Sequence, residues 1–540
     1  MDPLASIRDI AWLYVAAPAL CAAGLWATVR LGAPQLTRLG AAFRALRGDT
    51  ADAKGDVSPA ASAVLASVGT FGAAAAVGAA TAVALGGAGA LAWTWVFALV
   101  LAPLRVVETL LARTDAPGAR GGGATGSLAG RLMRDRSAGV RAVGATLAVV
   151  GVAAGLLFVG GVHGTALVES ARALVPTGAL ALGLGTAAVA VALGVAGSRR
   201  VGSIMGWLAL FALAVLVVAL FAAALSEPAR ALRAVARAFG EIFRGAPPAD
   251  TFTGALAGEL ARASVVNVLA PLGAFTGIAG GVGASSRATT KRQASIALLE
   301  PFAWALATSV LVMAFVATGA FFQTRSTSRT LDEITVYKTQ FETVSQRLEP
   351  ERLYDGYIRV KGGAMVDMPV VLGTERGMIA APHFEYYGRP ADLAIHLEKG
   401  RVLRLMRPVN RALSEIPTTQ ARQVTITGEM LPRSAALVSA AAAHAPGGAP
   451  IANAVLAALL VLGALAGAIW GQSLARSVPR GWPAVIAPIV AALPGVGIAL
   501  AASGMFWWLA SAGAIAGAAL ATVAALGLAL RTSEAAKLGS

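Results

Sequence analysis

Residues 67–78 of this chain read SVGTFGAAAAVG, and residues 267–281 read NVLAPLGAFTGIAGG. Both stretches are apolar enough to lie in a membrane, yet both are interrupted by glycine or proline. Such interruptions break a membrane helix, and the backbone groups freed at a break can bind ions or polar solutes. A packing face of small residues between helices is the alternative interpretation. The spacing alone leaves the two interpretations open.

The composition of the whole chain indicates a membrane protein. Of the 540 residues, 57% are hydrophobic and 13% are charged, whereas soluble domains carry about 25% charged residues. The single cysteine, Cys21, excludes an intrachain disulfide, and the four dispersed histidines predict no metal site. Short basic loops between apolar spans account for the net charge of +16, so this charge does not indicate nucleic-acid binding.

Apolar stretches long enough to cross a bilayer, which requires about 20 residues, recur along the chain. The eleven predicted spans lie at about 10–30, 58–82, 87–112, 141–162, 174–197, 203–226, 252–283, 296–322, 451–475, 482–502 and 505–530. The two interrupted stretches each open a set of five spans, and an odd number of spans inverts the second set relative to the first. Inverted repeats with broken helices are typical of secondary transporters. We therefore expect an all-α polytopic membrane protein with inverted five-helix repeats and discontinuous helices.

Basic residues predict the orientation of the chain. With the N-terminus outside, the inner loops contain 20 Lys and Arg residues, whereas the outer loops up to residue 251 contain six. Because cytoplasmic loops are rich in Lys and Arg, we expect an outside N-terminus and a cytoplasmic C-terminus in a bacterial-type cytoplasmic (inner) membrane. Residues 227–251 alternate apolar and basic residues at helical spacing, which favours an amphipathic helix at the outer interface over an ordinary solvated helix.

Residues 323–432 differ from the rest of the chain, since they hold 28 of its 72 charged residues. Their short apolar runs are separated by turn signals at Asp355-Gly356, Gly362-Gly363, Gly388 and Lys399-Gly400. We expect a small β-rich extracytoplasmic insertion here, and its function is not indicated. The predicted organisation is an N-terminal span and loop at 1–57, a first repeat at 58–226, the interfacial helix at 227–251, the start of the second repeat at 252–322, the insertion at 323–432, and the rest of the second repeat with a cytoplasmic tail at 433–540.

Short motifs occur in the order and spacing of a known transporter family. They are Ser58-Pro59, residues 86–90, Trp93-Thr94-Trp95, residues 108–112, Gln293, Glu300-Pro301-Phe302 and Thr318-Gly319. With these motifs the chain resembles the alanine/glycine:cation symporter family, also called the sodium:alanine symporter family. The resemblance implies a leucine-transporter-like fold, no enzymatic activity, and symport of a small amino acid such as alanine or glycine with Na⁺ or H⁺. The amino acid and the lipid bilayer are then the expected partners.

The resemblance also implies where the solute and the cation bind. The substrate positions fall on Thr70, Gly72, Gly78, Gly273, Thr276 and Gly277. The family's cation-ligand positions fall on Ala73, Ala75, Leu462 and Gly463, whose side chains carry no oxygen. No metal ligand is therefore assigned, and we expect either a carrier with replaced ligands or a degenerate, non-transporting membrane protein with an interaction or sensing role.

A pair of opposite charges lies inside the third predicted span. Arg105 and Glu108 are one helical turn apart. A charge within a membrane span is a candidate for function, but a pair at this spacing also forms structural ion pairs on a single helix. We expect the structural role.

Overall fold

The computed structural model describes residues 3–47, 58–86, 89–114, 128–164, 167–168, 171, 174–175, 178–195, 199–229, 231–233, 235–236, 289–318, 325–331, 334–338, 353–366, 370–374, 377–409, 412–417, 420, 423–430, 438, 442–443, 445–475, 483–503 and 509–539. The chain divides into two compact units. One unit comprises Gly319–Arg433, and the other contains the helices before and after it.

The second unit is built from long apolar helices. In chain order they are α1 (Pro3–Ile10), α2 (Ala17–Arg30), α3 (Pro34–Thr37), α4 (Leu39–Arg47), α5 (Pro59–Gly86), α6 (Gly89–Thr114), α7 (Leu128–Met133), α8 (Ala138–Ala154), α9 (Ala179–Val195), α10 (Arg199–Leu225), α11 (Thr290–Ala297), α12 (Glu300–Thr318), α13 (Ala449–Ala475), α14 (Pro483–Ser503) and α15 (Leu509–Gly539). Two π-helical segments, Ala11–Ala16 and Gly155–His163, join α1 to α2 and extend α8.

The described helices support a polytopic membrane protein. Seven of the described segments are long and apolar enough to cross a bilayer: Ala11–Arg30, Leu91–Ala112, Ala138–His163, Ile204–Leu225, Thr290–Ala314, Ala449–Ala475 and Ser511–Leu538. Three shorter apolar helices, Pro59–Gly69, Ala179–Val195 and Val485–Leu500, lie where further spans are predicted. The predicted span at 252–283, and most of the interfacial helix at 227–251, lie outside the described residues. Eleven spans and inverted repeats therefore stay predictions.

Small residues bring three of these helices close together. Helix α14 packs against both α9 and α13. A methyl group added at Gly495 of α14 would overlap the backbone of Gly183 and Ala187 in α9. One added at Gly467 of α13 would lie 2.7 Å from the carbonyl oxygen of Ala491 in α14. Backbones that approach this closely are typical of helix packing in membranes, where van der Waals contact replaces the hydrophobic driving force.

Ion pairs join α15 to the segment that precedes α8. Arg131 of α7 pairs with Glu534, and Arg531 pairs with Asp135. Arg531 and Glu534 also approach each other at 3.5 Å on one face of α15. These four charges link the loop between the third and fourth predicted spans to the end of the last span.

The strand-rich unit is a single antiparallel sheet. Its strands are β1 (Arg325–Thr330), β2 (Thr335–Lys338), β3 (Gly356–Lys361), β4 (Ala364–Met365), β5 (Val370–Thr374), β6 (Gly377–Tyr386), β7 (Arg389–Pro390), β8 (Leu393–Glu398), β9 (Arg401–Val409), β10 (Ala412–Glu415) and β11 (Val424–Met430). The main path runs β1-β11-β6-β4-β3-β8-β9-β10, with β5 and β7 beside β6 and β2 beside β5.

Three predicted turn signals form tight hairpins in this sheet. Gly362-Gly363, Tyr387-Gly388 and Lys399-Gly400 each join two paired strands with both residues at positive φ. Two consecutive positive φ angles define the type I′ turn, whose twist matches that of the strands. Alternating side chains then form the core on one face. Its largest described members include Ile358, Phe384, Leu393, Ile395 and Leu405.

Candidate solute site at a broken helix

Helix α5 is broken at Gly72. This residue has φ 37° and ψ −161°, whereas its neighbours in Pro59–Gly86 are helical. Only glycine adopts such a conformation without strain. The break falls in the first of the two stretches that the sequence singled out. In general, a break removes helical partners from backbone N–H and C=O groups at the ends of the two halves, and such groups can bind a ligand.

A buried tryptophan supports the first half of the broken helix. The indole N–H of Trp470 in α13 donates a hydrogen bond of 3.1 Å to the carbonyl oxygen of Gly69. The Trp470 ring stacks on Phe158 of the π-helical segment, with centroids 5.6 Å apart. Both rings are almost completely buried. Helices α5 and α13 and the segment Gly155–His163 therefore meet at the break.

His163 faces the break from the end of the π-helical segment. A methyl group added at Gly72 would lie 3.1 Å from Cε1 and 3.5 Å from Nδ1 of His163. The imidazole is 0% exposed and meets Phe158 edge-on, at a centroid distance of 5.8 Å. Neither ring nitrogen has a hydrogen-bond partner among the described residues. Because buried polar groups in native proteins are almost always hydrogen-bonded, this histidine is a candidate ligand-binding group.

The predicted site residues are only partly described. Gly72 lies at the break, and Ala73 follows it with a completely buried side chain. Thr70, Ala75 and Gly78 lie in α5, where the structure describes their backbone alone. The three positions of the seventh span, which are Gly273, Thr276 and Gly277, lie outside the described residues.

The remaining cation-ligand positions lie on α13, which packs against α5. Leu462 is fully buried. A methyl group added at Gly463 would overlap the side chain of Leu167, so leucine occupies the space into which a larger residue would extend. Neither position offers a side-chain oxygen to a cation.

A second polar cluster lies between α6 and α12. Nη1 of Arg105 is 2.8 Å from Oε2 of Glu108, and the two side chains are 3% and 0% exposed. Glu300, at the start of α12, is also buried and interacts electrostatically with both groups. The pair is local, as expected, but both side chains are buried, and Glu300 adds a third titratable side chain beside them.

Gln293 in α11 is a further buried polar residue. It is 0% exposed, and neither its amide oxygen nor its amide nitrogen has a hydrogen-bond partner among the described residues. Helix α11 packs against α6. Both Gln293 and Glu300 belong to the motifs that carry the family resemblance, and the fold places their helices on α6.

Sequence reasoning missed His163, Phe158 and Trp470. The four histidines are dispersed in the sequence, which argues against a metal site but does not test a role for a single histidine. The available signal was a single titratable residue at the end of a span that otherwise contains none after Arg141. A titratable residue inside a membrane span is a candidate for function in its own right.

Apolar helices, a break in one of them and buried polar groups beside it are together features of membrane transport proteins. The sequence model of the sodium:alanine symporter family matches residues 2–341, which is more than half of the chain. The chain belongs to this family. A comparison with curated proteins gave no match. Membership supports a symporter-type transporter in general, and it is consistent with a protein that is not an enzyme.

Proposed function

We propose that this chain transports a small amino acid, alanine or glycine, by alternating access across a bacterial-type cytoplasmic membrane, coupled to Na⁺ or H⁺. The break at Gly72 is the observation that carries the proposal. Family membership supports the class of transporter. The proposed solute site lies between the second and seventh spans, at Thr70, Gly72, Gly78, Gly273, Thr276 and Gly277.

The chemistry of a broken helix suits a zwitterionic solute. The N-terminal end of a half-helix presents free N–H groups and a partial positive charge, which favour a carboxylate. The C-terminal end presents free carbonyl groups, which favour an ammonium group or a cation. An amino acid carries both charges on one carbon atom. A single break can therefore bind its two charged groups without charged side chains.

Transport by the purified protein in liposomes tests the proposal. Uptake of labelled alanine or glycine is measured with an imposed sodium gradient and, separately, with an imposed pH gradient. We expect accumulation with at least one of the two gradients. Absence of uptake and of exchange for both amino acids, by protein whose fold is verified, would contradict the proposal.

A pair of glycine variants links uptake to the break. Gly72→Ala is expected to abolish uptake, because alanine is strained at positive φ and its methyl group would approach His163. Gly185→Ala is the control, since a methyl group there has no neighbour within 4 Å. We expect this control to transport as the unmodified protein does.

A further inference from the structure

On the basis of the proposed function, we propose that His163 is the proton-carrying group of this transporter. Its imidazole takes up one proton from the aqueous phase when the carboxylate of the amino acid binds at Gly72, and it releases that proton when the amino acid leaves on the other side. The carried species are one zwitterion and one proton. Each cycle therefore moves one net positive charge across the membrane.

The geometry places the imidazole of His163 beside the break at Gly72, where the proposal puts the carboxylate. The ring edge that carries Cε1 and Nδ1 faces the non-helical residue of α5. Phe158 holds the ring from one side, and Ala466 of α13 lies beside the same point, 3.3 Å from a methyl group added at Gly72. No described residue satisfies either ring nitrogen. The imidazole is therefore fixed by packing, while its polar atoms are left for a ligand.

Among the described residues, the helices packed around His163 offer it no counter-charge. Glu169 and Arg172, which follow His163 by six and nine residues, lie outside the described residues. The π-helical segment packs against α5, α8, α13, α14 and α15. Helices α5, α13 and α14 contain no titratable residue. The segment meets α15 near Gly513. The nearest charged residue on α15 is Arg531, which lies 18 residues after Gly513, or about 27 Å along the helix. Arg141, in α8, lies 22 residues before His163, or about 33 Å along the helix.

The lack of a counter-charge among the described residues is what would couple the proton to the solute. A buried imidazolium is costly in a medium of low dielectric constant unless an anion lies beside it. The carboxylate of an amino acid supplies that anion, and the imidazolium in turn compensates the buried carboxylate. Each ligand therefore raises the affinity for the other, by the reciprocity that holds for any two linked ligands. A carrier that crosses the membrane only with both the proton and the amino acid bound, or with neither, is a symporter.

The surroundings favour a proton over sodium. At the described cation-ligand positions, Ala73 and Leu462 are buried apolar side chains, and Gly463 is covered by Leu167. Sodium binding requires several oxygen ligands, whereas a proton requires only one basic atom. His163 supplies such an atom at the break.

The first experiment measures accumulation in liposomes with the membrane potential clamped by potassium and valinomycin. With one proton per amino acid, a pH difference of one unit supports about tenfold accumulation of alanine or glycine. We expect His163→Gln to lose this accumulation and to retain exchange of labelled for unlabelled amino acid, because glutamine donates a hydrogen bond but does not carry a proton. His383→Gln, a histidine substitution in the β-sheet, is the control and should accumulate normally.

The outcomes separate this inference from the proposed function. If the unmodified protein neither accumulates nor exchanges either amino acid, the proposed function fails. If it accumulates them with a sodium gradient alone, or if His163→Gln still accumulates them with a pH gradient, transport stands and the role of His163 is overturned.

A second measurement avoids the risk that His163→Gln does not fold. Unmodified protein in weakly buffered detergent is mixed with alanine or glycine, and a pH indicator reports proton uptake. We expect about one proton per amino acid bound at a pH where the empty site is unprotonated. Binding without proton uptake over the range of pH 6 to about 9, which surrounds the usual histidine value, would overturn the inference.

Discussion

Gly72 combines a backbone angle and a contact that other residues do not tolerate. Its φ is positive, and a methyl group there would lie 3.1 Å from His163 and 3.3 Å from Ala466. The shape of the candidate site therefore depends on the absence of a Cβ atom at residue 72.

We predict that Gly72→Ala lowers the stability of the protein by about 1–3 kcal/mol, the usual cost of a strained backbone conformation. The measurement is the thermal unfolding midpoint in detergent. Gly185→Ala in α9 is the matched control, because its methyl group has open space and alanine favours the helix over glycine. Equal midpoints for the two variants would mean that α5 is not broken at Gly72.

We predict that sodium does not raise the thermal unfolding midpoint of the unmodified protein. The side chains at Ala73, Leu462 and Gly463 have no oxygen atoms to replace the hydration of the ion. A ligand that binds only the folded state at 100 times its dissociation constant adds about 2.7 kcal/mol, which such a measurement detects. Potassium at equal ionic strength is the control. A rise specific to sodium would indicate that backbone carbonyls or other residues form a cation site.

Helices α6 and α12 bring together titratable side chains that are distant in the chain. Arg105 and Glu108 are neighbours on α6, whereas Glu300 follows almost two hundred residues later. Among the described residues, this cluster holds one guanidinium and two carboxyl groups. Substitution of Arg105 and substitution of Glu108 should therefore destabilise the protein by different amounts.

We predict that Arg105→Gln destabilises the protein more than Glu108→Gln does. The first change removes the guanidinium that pairs with Glu108 and interacts with Glu300, whereas the second keeps Arg105 beside Glu300. Removing one partner of a buried ion pair costs about 3–5 kcal/mol, so we expect Arg105→Gln to reach this range and Glu108→Gln to fall below it. Unfolding in denaturant of both variants in one detergent provides the comparison. The reverse order would show that Glu300 does not compensate Arg105.

The helical spans were predictable, because they depend on local composition, whereas the composition of residues 67–78 left a break and a packing face both open. Long apolar runs mark a span, and the structure decides for the break by giving Gly72 a non-helical conformation. Turn signals such as Lys399-Gly400 likewise predicted their hairpins. His163 was not predictable as part of the site, since its contacts come from α5 and α13, which are distant in sequence. The burial of Arg105 and Glu108 depends on α12 in the same way.

The orientation of the whole protein in the membrane rests on the distribution of basic residues. We predict that a cysteine at Lys361 reacts with a membrane-impermeant thiol reagent in intact cells, whereas a cysteine at Ser137 does not. Both positions are exposed within their own units, so accessibility depends on the side of the membrane. Replacement of Cys21 by serine removes the native thiol. Labelling at Ser137 but not at Lys361 would reverse the orientation.

In chain order, β1 and β11 are the first and last strands of the sheet, and they are partners, so the two ends of the described sheet lie side by side. Arg325 of β1 lies opposite Met430 of β11, and residues opposite each other in an antiparallel pair are about 4.5–5.5 Å apart. Segments whose ends are this close can be inserted into a host chain or removed from it with little disturbance. A short linker could therefore replace the sheet, and a fluorescent reporter whose own termini are adjacent could be inserted in its place.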